Sequence, residues 1–170
     1  MIYLISLIFA LVSQSNNEFL LESGKVGYFY RSMPIEEALR TANEHYKVEK
    51  GAISLEGTEV EVWNVSSSGK LLLQFETRDY DSNKSLWRIW VISDKYKTHD
   101  GIGIGSSILE VIERYPFKYI QVEGSLSLAV EGLDLGLMLD GSSVPDSWWS
   151  NGMKDSEIPK STKIRLIIVI

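Results

Sequence analysis

Residues 96–116 read Tyr-Lys-Thr-His-Asp-Gly-Ile-Gly-Ile-Gly-Ser-Ser-Ile-Leu-Glu-Val-Ile-Glu-Arg-Tyr-Pro, and this stretch decides the fold. Glycine alternates with isoleucine up to Gly105, so a strand here would carry both isoleucines on one face. Ser106 or Ser107 can then cap a helix, because serine oxygens accept hydrogen bonds from first-turn amides. The apolar side of that helix is formed by Ile108, Leu109, Val111 and Ile112. Pro116 cannot continue it, so the stretch predicts a strand end, a glycine turn and a short amphipathic helix.

A fainter version of this pattern lies upstream. Residues 25–30 are aromatic and predict a short strand. Ser32 or Met33 as a cap, with Pro34 in the first turn, predicts a helix start. Its apolar face is formed by Ile35, Ala38, Leu39 and Ala42. This helix should end near Tyr46.

The two helix starts, Ile35 and Ile108, lie 73 residues apart, and further apolar and acidic positions match at the same spacing. This regularity predicts a tandem strand-helix-sheet repeat over residues 24–93 and 96–170. The alternative is two unrelated strand-to-helix turns that share cap chemistry.

Most of the remaining sequence has the two-residue period of strands. Residues 58–65 alternate strictly, with Val60, Val62 and Val65 predicted to face inward, and residues 47–51 read as a turn. Further strand segments cover residues 71–78, 86–93, 119–123, 126–131, 135–140 and 163–170. Neighbouring strands joined by short turns are antiparallel, because parallel neighbours need a crossover. The predicted fold class is therefore α+β, with two short helices packed on an antiparallel β-meander sheet in a single domain over residues 16–170.

The succession Ile-Gly-Ile-Gly-Ser-Ser, Ile-Leu-Glu-Val-Ile-Glu-Arg-Tyr and a strand meander resembles the helix-plus-sheet repeat of bacterial envelope proteins. These include the β-lactamase-inhibitor-protein-like fold and the small outer-membrane assembly lipoproteins. The resemblance covers residues 24–141. The sequence departs from the pattern in having no lipidation cysteine and in having Tyr-Phe-Tyr-Arg at residues 28–31, where the glycine motif should be. The resemblance implies a secreted or periplasmic binding or structural module, and it transfers no catalytic residue.

The composition is that of a globular protein without a nucleic-acid footprint. The chain has 170 residues, 44% of them hydrophobic, and a net charge of -6. This length suffices for a substantial core. Nucleic acids and anionic lipid surfaces attract clustered basic residues, and a diffuse acidic balance argues against both partners. The sequence has no cysteine, which excludes disulfides, thiolate metal sites and a cysteine nucleophile.

Residues 1–12 are almost wholly apolar, and residues 13–17 are polar. A membrane-spanning helix takes about 20 apolar residues. The shorter run fits the core of a signal peptide, with Ser13 and Ser15 as small residues near the cleavage point. We predict a signal peptide over residues 1–15, a secreted or periplasmic location and no stable membrane span after cleavage. Because no basic residue precedes the run, a buried N-terminal strand or helix is the alternative.

Two motifs suggest ligands, but neither has the spacing its chemistry needs. In Gly101-x-Gly-x-Gly the third glycine, Gly105, comes one residue early for a dinucleotide-binding turn. Asp79-x-Asp-x-Asn83 has no glycine at the sixth position of a calcium loop and no glutamate at the twelfth. We therefore predict no cofactor and no metal.

A Ser-His-Asp set can be drawn from His99, Asp94 and Ser106 or Ser107, but no Gly-x-Ser-x-Gly elbow supports it. We predict no catalytic residue and a non-enzymatic protein. The competing prediction is a small-ligand-binding or hydrolytic protein with a pocket near the Gly101–Ser107 turn.

A long polar loop at residues 142–159 contains the adjacent Trp148 and Trp149. Long loops often carry function, and tryptophan is enriched at interface hot spots. The two rings either fold back over the core or bind a partner. Tyr28 and Tyr30 could add an aromatic wall. The sequence therefore predicts a protein partner bound by these four residues.

The predicted cleavage can be tested on the mature protein. N-terminal sequencing of material from the producing cell should begin near Asn16, because the apolar run would be removed during export. A chain that begins with Met1 would contradict the prediction.

Overall fold

The computed structural model describes residues 17–55, 57–80, 83–122, 125–144 and 158–170. Within these ranges the α-helices are α1 (Ile35–His45) and α2 (Ile108–Ile112). The strands are β1 (Leu21–Glu22), β2 (Lys25–Val26), β3 (Phe29–Tyr30), β4 (Lys47–Leu55), β5 (Thr58–Ser67), β6 (Lys70–Tyr80), β7 (Asn83–Val91), β8 (Phe117–Val122), β9 (Ser125–Val130), β10 (Leu135–Leu139) and β11 (Ile164–Val169). The predicted signal peptide lies outside the described residues.

Strands β1, β2 and β3 form a small antiparallel sheet, and the other strands form an eight-stranded sheet in the order β4-β5-β6-β7-β11-β10-β9-β8. Every named pair in the large sheet is antiparallel. Helix α1 precedes the meander β4–β7, and helix α2 precedes the meander β8–β11. The predicted α+β class with an antiparallel meander sheet is therefore confirmed.

The two meanders meet at the pair β7–β11 in the middle of the sheet. Trp90 lies opposite Ile168, and the flanking pairs are Val91 with Ile167 and Ile89 with Val169. The register is thus symmetric about the Trp90–Ile168 pair.

Each helix entry is bonded to the last strand of the meander that follows it. The four hydrogen bonds are Ser32 N to Leu86 O (2.9 Å), Leu86 N to Met33 O (2.9 Å), Gly105 N to Ile164 O (2.8 Å) and Ile164 N to Ser106 O (2.8 Å). Ser32 and Gly105 both have left-handed backbone, with φ of 68° and 86°. Each bonded pair fixes one end of its meander against its helix.

One side of the large sheet packs against the helices and the small sheet. Phe75 of β6, Ile89 of β7 and Ile167 of β11 are completely buried there, together with Ala38 and Ala42 of α1. Full burial of one such isoleucine or phenylalanine side chain contributes about 1.5–3 kcal/mol. This shared core joins the helices to both halves of the sheet.

The structure confirms one predicted helix cap and corrects the other. Ser107 caps α2, and the backbone N–H of Ser107 donates to the Glu110 carboxylate in return (2.7 Å). The cap of α1 is Pro34, which makes no side-chain hydrogen bond. Ser32 and Met33 cannot serve, because Ser32 has left-handed backbone and Met33 is buried in the core.

Two strand predictions were wrong in detail. Residues 47–51 were predicted to form a turn, but they belong to β4, where they pair with β5. Val62 and Val65 are both completely buried, whereas Val60 is half-buried. Val62 pairs with Glu76 and Val65 pairs with Leu73, so the two valines face opposite sides of the sheet.

The glycines at residues 101–105 form a tight turn in place of the predicted strand end. The backbone at Gly105 is left-handed, a conformation that glycine adopts without strain. A Cβ at position 103 would clash with the carbonyl oxygen of Tyr96. Close approach of two backbone segments therefore explains glycine at position 103 without a ligand.

Replacement of the α2 cap tests this account. Ser107→Ala should lower the free energy of unfolding by about 0.5–2 kcal/mol, because it removes the side-chain bond to the Glu110 amide. Urea unfolding measures the loss, and Ser161→Ala at an exposed position is the matched control.

The same variant should change the acid sensitivity. Hydrogen bonds from the backbone and side chain of Ser107 lower the pKa of Glu110. The native carboxylate therefore contributes stability above its ordinary pKa of about 4.3, and this stability disappears as the pH falls. The decrease in the free energy of unfolding on acidification should be smaller in Ser107→Ala than in the parent protein. An equal decrease in both proteins would contradict the role of the Ser107 side chain in lowering the pKa of Glu110.

Candidate binding site

A cavity of about 700 Å³ lies on the side of the large sheet that faces away from the helices. The lining residues Trp90, Met138 and Ile168 alternate along their strands with residues of the helix-side core. Its apolar floor is formed by Trp90, Ile92, Met138, Leu166 and Ile168. Strand periodicity therefore gives this sheet a second apolar face.

The large sheet curves around the cavity. Ile53 and Leu55 at the end of β4 line the same cavity as Ser127 and Ala129 of β9. Five strands separate β4 from β9 in the sheet order. Only a sheet that curves around the cavity can bring these residues to its walls, and we call this surface the concave face.

A buried carboxylate lies beside the floor. Glu76 is 7% exposed, and its Oε2 accepts a hydrogen bond from Trp90 Nε1 (3.1 Å). A guanidinium nitrogen of Arg88 lies 3.5 Å from the same oxygen. These two donors offset the cost of burying the charge and hold the Trp90 ring in the floor.

Three guanidinium groups surround the ring of Trp87 at one end of this surface. Arg31, Arg78 and Arg88 lie 5.1, 4.8 and 5.8 Å from the ring centroid. Trp87 is the extra residue of a β-bulge, since Glu76 pairs with Arg88 while Thr77 pairs with Leu86. We call these four residues the arginine–tryptophan cluster. Arg88 also lines the cavity, so the cationic cluster adjoins the apolar floor.

The structure places two of the four predicted partner-binding residues. Tyr28 and Tyr30 are 38% and 42% exposed, and the ring of Tyr28 stacks on His45 at 5.0 Å. Phe29 between them is buried against Phe75. Neither tyrosine lines the cavity. Trp148 and Trp149 lie outside the described residues, so the predicted partner-binding set stays untested.

The side chains of the Gly101–Ser107 turn are engaged in local structure. Ser106 Oγ accepts a bond from Gly103 N (3.2 Å), and Ser107 forms the helix cap. Asp100 accepts a 2.5 Å hydrogen bond from the Tyr115 hydroxyl. Burial first, and then this bond, raises the pKa of Tyr115. No residue of 101–107 lines the cavity on the concave face.

Within the described ranges, no three His, Cys, Asp or Glu side chains lie close enough to share a metal ion. In the same part of the chain, no helix has the length and apolar character needed to cross a membrane.

The concave face was not predicted from the sequence, although one signal for it is present there. The terminal segment Ile164–Val169 is apolar at both odd and even positions apart from Arg165. Such a run indicates that both faces of a strand are apolar. The curvature that closes the cavity depends on contacts between distant strands, which have no local signature.

A second buried polar group lies on the helix side, away from the cavity. Tyr96 is 1% exposed, and its hydroxyl makes no hydrogen bond with the residues described. The nearby Tyr46 hydroxyl donates to Glu18 Oε1 (2.7 Å). Burial is the main cause that raises the pKa of both tyrosines above the ordinary value.

Comparison with known proteins supports the fold. No family model matches the sequence, and no curated protein gives a significant match. The crystal structure of the uncharacterized protein YfeY from Escherichia coli is similar, with a TM-score of 0.61 and 20% sequence identity. The match covers 88% of this chain and 97% of YfeY. At this identity the likeness shows a common fold.

The Tyr96 environment gives a stability prediction. Tyr96→Phe should raise the free energy of unfolding at pH 7 by about 1 kcal/mol, because it removes a buried hydroxyl that has no hydrogen-bond partner among the residues described. Above pH 10, Tyr96 ionises in the unfolded chain but stays protonated in the folded protein. The free energy of unfolding of the parent should therefore fall by up to about 1.4 kcal/mol per pH unit because of this residue, whereas the variant should not show this contribution.

Urea unfolding at pH 7 and pH 11 measures both effects, with the exposed Tyr30→Phe as control. A variant that is less stable at pH 7, or that keeps the parent's alkaline loss, would contradict the assignment.

Proposed function

We propose that this protein is an exported, non-enzymatic binding module of the cell envelope, and that its concave face is the binding surface. The observation that carries the proposal is the apolar cavity of about 700 Å³ on the concave side of the curved sheet. Small-molecule sites typically have volumes of about 300–1,000 Å³ and are mostly apolar with a few convergent polar groups. The floor and the Glu76–Arg88 pair fit that description.

The non-enzymatic part of the proposal is supported by the bonding of the serines in the glycine turn. An activated nucleophilic serine pairs with a base that a third group orients. The Ser107 hydroxyl is instead part of the α2 capping box, where it accepts a bond from the Glu110 amide and donates one to the Glu110 carboxylate. The Ser106 hydroxyl accepts a bond from the Gly103 amide. These hydrogen bonds give both serine hydroxyls a structural role in the turn and the helix cap.

Export and an envelope location rest on residues 1–15 and on the resemblance to envelope modules. A small ligand is the first candidate occupant of the concave face, as the apolar cavity favours. Tyr28 and Tyr30 are exposed outside the cavity lining, so the protein partner that they favour would bind at a separate surface.

We also propose that the two meanders arose by duplication of one helix-plus-sheet unit. The matched helix entries of Ser32 and Gly105 support this origin, since each is bonded to the last strand of its own meander. The symmetric register about Trp90 and Ile168 supports it as well. An internal two-fold axis through that pair would relate the halves.

Site-specific cross-linking tests the binding surface. A photo-reactive amino acid at Met138 on the cavity floor should give an adduct in the native host, because an occupant would touch this side chain. The same group at Leu109, 42% exposed on α2, is the control. Mass spectrometry distinguishes a protein adduct from a small molecule. Equal labelling at both positions, or none at Met138, would contradict the proposal.

A further inference from the structure

We propose that the concave face binds a single-chain amphiphile with an anionic head group. Its hydrocarbon tail would lie in the cavity, and its head group would lie at the arginine–tryptophan cluster. This inference rests on the proposed function, in which the concave face is the binding surface.

The cavity floor fits a hydrocarbon tail. Met138, Leu166 and Ile168 present flexible or branched aliphatic side chains, and Ile53 and Leu55 close the opposite wall. Gly136 lies among them and adds no side chain, which deepens the floor. Apolar contact of this kind is non-directional and suits a chain without polar atoms.

The arginine–tryptophan cluster fits an anionic head group. Arg31 and Arg78 are exposed, and Arg88 is half-buried where the cluster joins the cavity. Guanidinium groups bind carboxylates and phosphates through two parallel hydrogen bonds. Glu76 forms an ion pair with Arg88 and holds its guanidinium group between the arginine–tryptophan cluster and the apolar cavity floor. Three guanidinium groups thus gather around one ring, with Arg88 paired to Glu76 and with Arg31 and Arg78 at exposed positions.

The same geometry disfavours a peptide in the cavity. An extended peptide carries an amide and a carbonyl at every residue, and burial of these groups without partners is costly. Polar side chains on the cavity lining are few, namely Ser54, Gln74, Arg88 and Ser127. A hydrocarbon tail makes no such demand, so the cavity selects an amphiphile over a protein segment.

Quenching of tryptophan fluorescence tests the proposal directly. Dibromostearate, added to the full chain below its micelle concentration, should quench saturably, because bromine on the tail would contact the Trp90 ring. Laurate should compete with it. Acetate, which lacks a tail, and dodecyltrimethylammonium, which carries a cationic head, should not compete.

Two variants locate the tail and the head. Gly136→Leu should abolish binding, because its side chain would occupy the floor; a Cβ there meets only ordinary contacts with Ile168 at 3.9 Å. The double variant Arg31→Gln, Arg78→Gln should weaken binding at least tenfold. The matched controls are Ala52→Leu and Arg40→Gln, at exposed positions away from the cavity lining, and they should bind like the parent.

Thermal unfolding establishes that each variant is folded before its binding is compared. The proposal is wrong if the parent shows no saturable quenching, if the cationic amphiphile competes as well as laurate, or if a folded Arg31/Arg78 double variant binds like the parent. If the Met138 cross-link captures a protein and dibromostearate does not bind, the proposed function stands and this inference fails. If neither a Met138 cross-link nor saturable quenching is observed, both the proposed function and this inference are wrong.

Discussion

The pairing of β7 with β11 is the interaction on which the rest of the structure depends. It joins two antiparallel meanders into one sheet, and its central residues serve both faces. Ile89 and Ile167 point into the helix-side core, while Trp90 and Ile168 point into the cavity floor. A one-residue slip would exchange the two sets and place Trp90 among the helices. Core packing and the candidate binding surface therefore depend on the same register.

The two apolar faces of the sheet meet different requirements. The helix side is filled by side chains of α1, α2 and the small sheet, as the complete burial of Ile108 and Phe75 illustrates. The concave side has no helix over it in the described part of the chain, and its polar contacts include the Glu76–Arg88 pair and the bond from Gln74 to Asn64. Packed side chains therefore fill the space on the helix side, whereas an accessible apolar cavity remains on the concave side.

Local sequence patterns predicted the local structure well. The helix over residues 35–45, the Ser107 cap and most strands follow from periodicity and capping chemistry, which act within a few residues. The turn predicted at residues 47–51 failed because pairing with β5 overrides weak turn propensity. The apolar character of both faces of β11 can be read from residues 164–169, but the curvature that brings β4 and β9 to one cavity could not be predicted. The bulge at Trp87 likewise depends on cross-strand register.

The position of β4 at the edge of the large sheet has a consequence for solubility. An edge strand exposes unpaired amides and carbonyls that can template another copy's strand. Strand β4 carries Lys47, Glu49 and Lys50 at exposed positions, with Lys47 and Glu49 paired at 2.8 Å. Such surface pairs add little to folding stability. Their charges instead make strand addition by a second molecule costly at this edge of the sheet.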